Sequence, residues 1–142
     1  MSTLYLRRFE QLRQPELHES VVVIVTDLFG NITSTNNRFS RITGYSDYYA
    51  RGKPFKFMQR PDDSRNTMPN QEVIKYMKSR SLQPLHVALH CVTKNGQEMI
   101  FYSKILPIIS NNEIIGYCSY QRPIPLIQMI TVVNSMSVEK LL

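Results

Sequence analysis

The sequence predicts an α+β fold, a five-stranded antiparallel sheet with short helices on one face. Three observations predict it. Two short β-branched runs, VVVIV and ITST, flank a Gly30-Asn31 turn. Helix-prone residues fill the middle of the chain. Three strand-like segments follow, separated by Asn95-Gly96 and by Ser110-Asn111-Asn112. Strands in two groups with the helices between them define an α+β layout, not the alternating units of a parallel sheet. The domain spans residues 20–123. An amphipathic cap helix over 1–19 and a linker helix over 124–142 frame it.

Each element has its own justification. Residues 4–17 set Leu4, Phe9 and Leu12 against charged neighbours, a short amphipathic helix ending near Pro15. Residues 21–25 are too short for a helix and β-branched throughout, hence a buried strand. After the hairpin, Asn36 or Asn37 caps a helix whose Phe39 and Ile42 face inward, and Gly44 ends it. Gly52, Pro54 and Pro61 limit residues 46–63 to a turn or so of helix. Pro69 suits the first turn of a longer helix over 69–81, with Val73, Ile74 and Met77 in one stripe and Tyr76 beside them.

The meander is legible by its alternation. In residues 85–93, Leu85, Val87, Leu89 and Cys91 share one face, and His86, Ala88 and His90 the other. A long strand covers 97–109. The last covers 113–122, where Pro123 stops it. From residue 124 onward, Ile127, Ile130, Val133 and Leu141 fall on roughly helical spacing.

Composition narrows the function. The chain has 142 residues, 42% hydrophobic and 20% charged, which suits one domain with its own core. Cys91 and Cys118 stand far apart in no CxxC spacing, so they read as reduced core residues of a cytoplasmic protein. The net charge of +6 is scattered, with no basic run and no zinc-finger or RNP pattern, so no nucleic acid is expected as a partner of this domain. No leader is expected, because Arg7, Arg8 and Glu10 interrupt the N-terminus. Residues 124–133 form the longest apolar stretch and fall far short of the ~20 residues that span a bilayer, so no membrane partner is expected either. No nucleophile motif, HExxH, Gly-rich phosphate loop or paired carboxylates appear, and an enzyme is not expected.

Five stretches, TDLFGNIT, NNRFSRITGYS, FMQRPD, VTKNGQE and IIGYCSYQ, stand in this order within residues 20–122. Over that span the chain resembles a PAS domain, the Per-Arnt-Sim sensory family. The resemblance implies a closed pocket between sheet and helices. FMQRPD followed by a helix is most similar to the input domains of aerotaxis receptors and other chemotaxis transducers, which implies FAD as a cofactor. The family's asparagine after the second strand falls on Asn36, the Asp of its Arg-Pro-Asp-like loop on Asp62, and the aromatic residue of its long helix on Tyr76. Its Arg-His pair before Pro-Asp appears here as Gln59-Arg60, with Arg60 as the group to meet a pyrophosphate.

GKPFKFMQ also resembles the Gly-Arg-Asn-Cys-Arg-Phe-Leu-Gln of light-oxygen-voltage (LOV) flavin photoreceptors. By that resemblance Phe55 takes the photoactive cysteine's place, Cys91 and Phe101 take the flavin-gripping asparagines' places, and Gln121 keeps the final-strand glutamine. Cysteine-adduct photochemistry is therefore not expected. Haem is not expected, because the long helix holds no axial His; His86 and His90 point away from the pocket.

Each pocket candidate also has a plain packing role. Tyr76 packs beside Val73 and Met77, and Asn36 caps its helix equally well. Phe55, Phe57 and Met58 plug the pocket in the ligand-free alternative. The expected function is a sensory module of a chemotaxis- or aerotaxis-type transducer, a homodimer relaying redox, oxygen or ligand state to a downstream output domain. The alternative is a ligand-free module for dimerisation, attached to an enzyme or DNA-binding domain.

Overall fold

The computed structural model describes residues 21–127. The cap helix expected over 1–19 and nearly all of the expected linker lie outside the described residues. Strand β1 (Val22–Asp27) and β2 (Ile32–Thr35) form the first hairpin, and β3 (Leu85–Val92), β4 (Glu98–Ser110) and β5 (Glu113–Pro125) the meander. The five strands form one antiparallel sheet in the order β2-β1-β5-β4-β3, so β5 lies at its centre. Between the hairpin and the meander come α1 (Asn37–Thr43), α2 (Asp47–Ala50), a 3-10 turn (Ser64–Asn66) and α3 (Thr67–Ser79). The α+β expectation is met.

Local chemistry explains the boundaries. The Asn36 carboxamide oxygen accepts from the Phe39 amide and caps α1. Gly44 closes that helix at φ +80, a left-handed conformation cheapest for glycine. Asn111 and Asn112 both adopt positive φ (50 and 64) in the two-residue turn between β4 and β5, matching a mirror-type hairpin turn. Helix α3 begins two residues earlier than expected, placing Pro69 third. The position costs nothing, since the first four helical amides have no intrahelical acceptor.

One expectation is corrected: Pro123 does not stop β5, which runs through Phe101↔Pro123 and Met99↔Pro125. Strand β1 ends its pairing with β5 at Val22↔Gln121, so beyond that point, among the described residues, one side of β5 has no strand beside it. A missing amide proton is tolerated on an open side.

The inner sheet face and the helices enclose the core, in which Phe39, Val73, Phe101 and Tyr117 are among the deepest side chains. A smaller apolar cluster of Val23, Ile108 and Cys118 lies on the outer face. Both sheet edges are covered. Gly52 and Lys53 exchange backbone hydrogen bonds with Ile32 of β2, and the Phe55 amide donates to the Gly30 carbonyl. Along β3, the Asn66 side chain brackets His90, accepting from its amide at 2.9 Å and donating to its carbonyl at 2.8 Å. That use of the carboxamide leaves α3 without a side-chain cap. Covered edges offer no template for unwanted strand pairing.

Candidate functional site

Alternation along β5 points Tyr117, Ser119 and Gln121 at the helices. With Ile24 and Thr26 of β1, Leu89 and Cys91 of β3, Phe101 and Ile105 of β4, and Val73 and Met77 of α3, they line an enclosed cavity of about 30 Å³. Phe55 and Met58, from the loop before the 3-10 turn, complete the wall. Among the described residues the walls are apolar except at Thr26, Ser119, Gln121 and the Tyr117 hydroxyl, which donates to the Met77 carbonyl at 3.1 Å. Gln121 is 6% exposed; its Nε2 donates to Ser119 Oγ at 3.1 Å, and its Oε1 is buried with no hydrogen-bond partner among the described residues. A buried, unpaired amide oxygen costs about 1–3 kcal/mol, so this atom is a natural seat for a donor. Burial pushes the Cys91 thiol up to about 12, which makes it a small apolar wall group and no nucleophile.

Of the residues singled out in the sequence, Phe55, Met58, Cys91 and Gln121 meet at this cavity. The others lie elsewhere. Phe57 sits with Tyr45 and Tyr49, ring centroids 5.2 and 6.3 Å away, in an aromatic group at the α2 end of the molecule. Phe57 packs against the core without lining the cavity, so the expected three-residue plug reduces to Phe55 and Met58.

Asn36 is spent on backbone. Its Oδ1 accepts from the Val23 and Phe39 amides and its Nδ2 donates to the Val21 carbonyl, all at 3.0 Å. Tyr76 packs against Tyr117 at 5.8 Å between centroids, and its hydroxyl lies 2.6 Å from the Gln83 carbonyl oxygen. Arg60 and Asp62 are exposed. Arg60 borders a separate surface hollow of about 430 Å³ with Lys56, Gln59 and Asn70.

His90 keeps to the face that the sequence assigns it, away from the cavity. It belongs to the outer face, as alternation requires, but is only 2% exposed. Its Nδ1 meets Asp63 and its Nε2 lies 3.2 Å from Glu98 Oε1, while Arg65 bridges the two carboxylates. The Arg65 guanidinium, with His90 adding to it, holds the Asp63 carboxyl down at about 2. The acidic residue tied into the fold is therefore Asp63 and not Asp62. Nothing in the string PDD distinguishes them, because the choice depends on which one faces β3. The inward set Tyr117, Ser119 and Gln121 was legible from period-two spacing on β5, whereas Met77 and Thr26 join it only through packing.

The cavity also tests the flavin expectation. Pockets for molecules of that size run from ~300 Å³ upward, whereas this one has room for about two water molecules. With Phe55, Met58 and Met77 in place, the interior does not fit a flavin ring. Among the described residues no cluster of three or more His, Cys, Asp or Glu could hold a metal ion. Among the same residues no helix is long and apolar enough to cross a membrane.

Solved structures of the same architecture are numerous in kind. The chain superposes on the PAS domain of a protein from Colwellia psychrerythraea with a TM-score of 0.66 at 23% identity, covering 85% of this chain and 98% of that one. The LOV protein of Rhodobacter sphaeroides gives 0.67 at 18% identity, covering 83% and 68%. The light-state dimer of the fungal blue-light photoreceptor Vivid gives 0.65 at 20%, covering 84% and 91%. No protein-family model matches the sequence, and no curated protein matches it. At these identities the likeness shows the fold: this is the architecture of PAS and LOV domains.

Proposed function

We propose that the chain is a PAS-type signal-relay module whose interior senses a small molecule without a flavin, as part of a cytoplasmic, chemotaxis-type signalling protein. The observation that carries this reading is the enclosed cavity, walled on one side by β5 with the unpaired Oε1 of Gln121. Strand β5 is hydrogen-bonded on both sides and leads directly into the residues from 126 onward. A group bound at Ser119 and Gln121 therefore acts on the strand that connects to any output. Relay requires that the occupant interact differently with two states of the module; an occupant indifferent to them shifts nothing. In this reading the chain works as a homodimer, and its dimer affinity reports the state of the interior.

The test needs no ligand. Cys91→Leu adds side-chain bulk at the wall, fills the cavity and so mimics occupancy. Sedimentation of the full chain is expected to show a dimer whose dissociation constant changes about tenfold in the variant, a coupling of ordinary size. An unchanged constant would refute sensing and leave the second reading, a ligand-free dimerisation module. The filling of the interior by Phe55, Met58 and Met77 favours that second reading. Refolding with FAD is expected to yield a colourless protein.

A further inference from the structure

The cavity has a door. Among the described residues thirteen line it, and of these Phe55 alone is not buried. The ring sits at the mouth over the first hairpin turn: a methyl group placed on Gly30 would come within 3.2 Å of Phe55 Cδ1 and 3.4 Å of Met77 Sδ. Its backbone is fastened independently of the ring, through the Phe55 amide to the Gly30 carbonyl at 2.9 Å and the bridge between Asn31 and Pro54. Rotation about χ1 therefore moves the ring while every backbone hydrogen bond stays made. The ring is apolar and only partly buried, so this rotation strands no polar group. The space it vacates is that of one six-membered ring, next to two pliable thioethers, Met58 and Met77.

We propose that Phe55 is a self-plug, and that the site takes a single neutral aromatic ring carrying one O–H or N–H donor. This rests on the small-molecule reading above and names its ligand class. The ring replaces the Phe55 phenyl against Ile24, Val73, Leu89, Phe101 and Ile105, and the donor binds Gln121 Oε1, which has no partner among the described residues. A charged ligand is disfavoured, since among the described residues no charged side chain lines the cavity to offset its desolvation. Apolar walls with one convergent polar group are the usual make-up of a small-molecule site. The plug sets the apparent affinity, because a ligand binds only the fraction of molecules with the door open.

The probes are phenol and toluene, which share a ring and differ in the donor, titrated into the full chain and followed by the Gln121 side-chain amide signal in NMR. Native protein is expected to prefer phenol about tenfold, the equivalent of one buried hydrogen bond. Gln121→Met is expected to erase that preference while keeping toluene binding, measured by backbone amide shifts around the cavity. Phe55→Ala is expected to tighten both probes about tenfold by removing the closed state. Phe55→Leu, a smaller truncation that keeps an apolar side chain, gives the same direction should the alanine variant fail to fold. No binding of either probe to native protein and to a folded Phe55 variant overturns the proposal, as does a phenol preference that survives Gln121→Met. A water on Gln121 that phenol cannot displace overturns it too. Failure here with dimer coupling intact removes the ligand class alone, whereas probe binding without coupling removes the relay.

Discussion

Asn36 shows how much one side chain can hold. It caps α1 and also ties β1 to the chain leaving β2, using three of its four hydrogen-bonding sites. Asn36→Ala loses a helix cap worth about 1 kcal/mol and strands the buried Val23 amide at about 1–3 kcal/mol more. Urea denaturation is expected to show a loss of about 3 kcal/mol. Asp63 makes a prediction in pH. Its folded value, about 2, lies below the ordinary 3.8, so its contribution is complete above about pH 4. That contribution declines as pH falls through 3.8 towards 2. Stability measured from pH 7 down to 3 should fall less steeply in Asp63→Asn than in the native chain; parallel curves would show that the Arg65 and His90 contacts do not hold it. Cys91 makes a prediction in reactivity. It is buried, with its thiol pushed up to about 12, and Cys118 is buried as well. A thiol-specific reagent is expected to label neither in the native protein and both after denaturation.

At the scale of elements, the sheet is governed by close approaches that only tertiary contact reveals. Gly116 on β5 faces Asp27 of β1, and a Cβ there would lie 2.2 Å from the Thr26 carbonyl oxygen. Backbone cannot yield as a flexible side chain does, so Gly116→Ala is expected to cost about 3 kcal/mol or more by thermal or chemical denaturation. A wild-type melting curve from that variant would mean the two strands can separate freely. The edges follow the same logic. Asn66 supplies to His90 the donor and acceptor that a sixth strand would have supplied, and the Met58 carbonyl accepts from the Val92 amide at 2.8 Å. The loop before α3 is thus anchored to β3 at the position where its other residues, Phe55 and Met58, close the cavity.

For the whole molecule, the central question is what fills the space between helices and sheet. Phe55, Met58 and Met77 fill most of it, leaving a remnant for about two waters beside Gln121. A module that carries its own plug is biased towards the closed state, and a ligand must supply the free energy of opening by binding the open one better. Dimer affinity in Cys91→Leu and the colour of the FAD-treated chain bear on this scale, because both report the interior as a whole.

Much of the molecule was legible beforehand. Period-two alternation places Leu89 and Cys91 inward, Gly30-Asn31, Asn95-Gly96 and Asn111-Asn112 mark the turns, and Asn36 and Gly44 bound a helix. These are local constraints, set by sterics and hydrogen bonding within a few residues, and the sequence alone determines them. Three-dimensional packing decided the rest: that Asp63 and not Asp62 meets His90, that Phe57 turns away from the cavity while Phe55 and Met58 enter it, and that β5 continues past Pro123. Those outcomes depend on which distant element lies alongside, and a short loop or a strand end carries no local preference strong enough to foretell its neighbour.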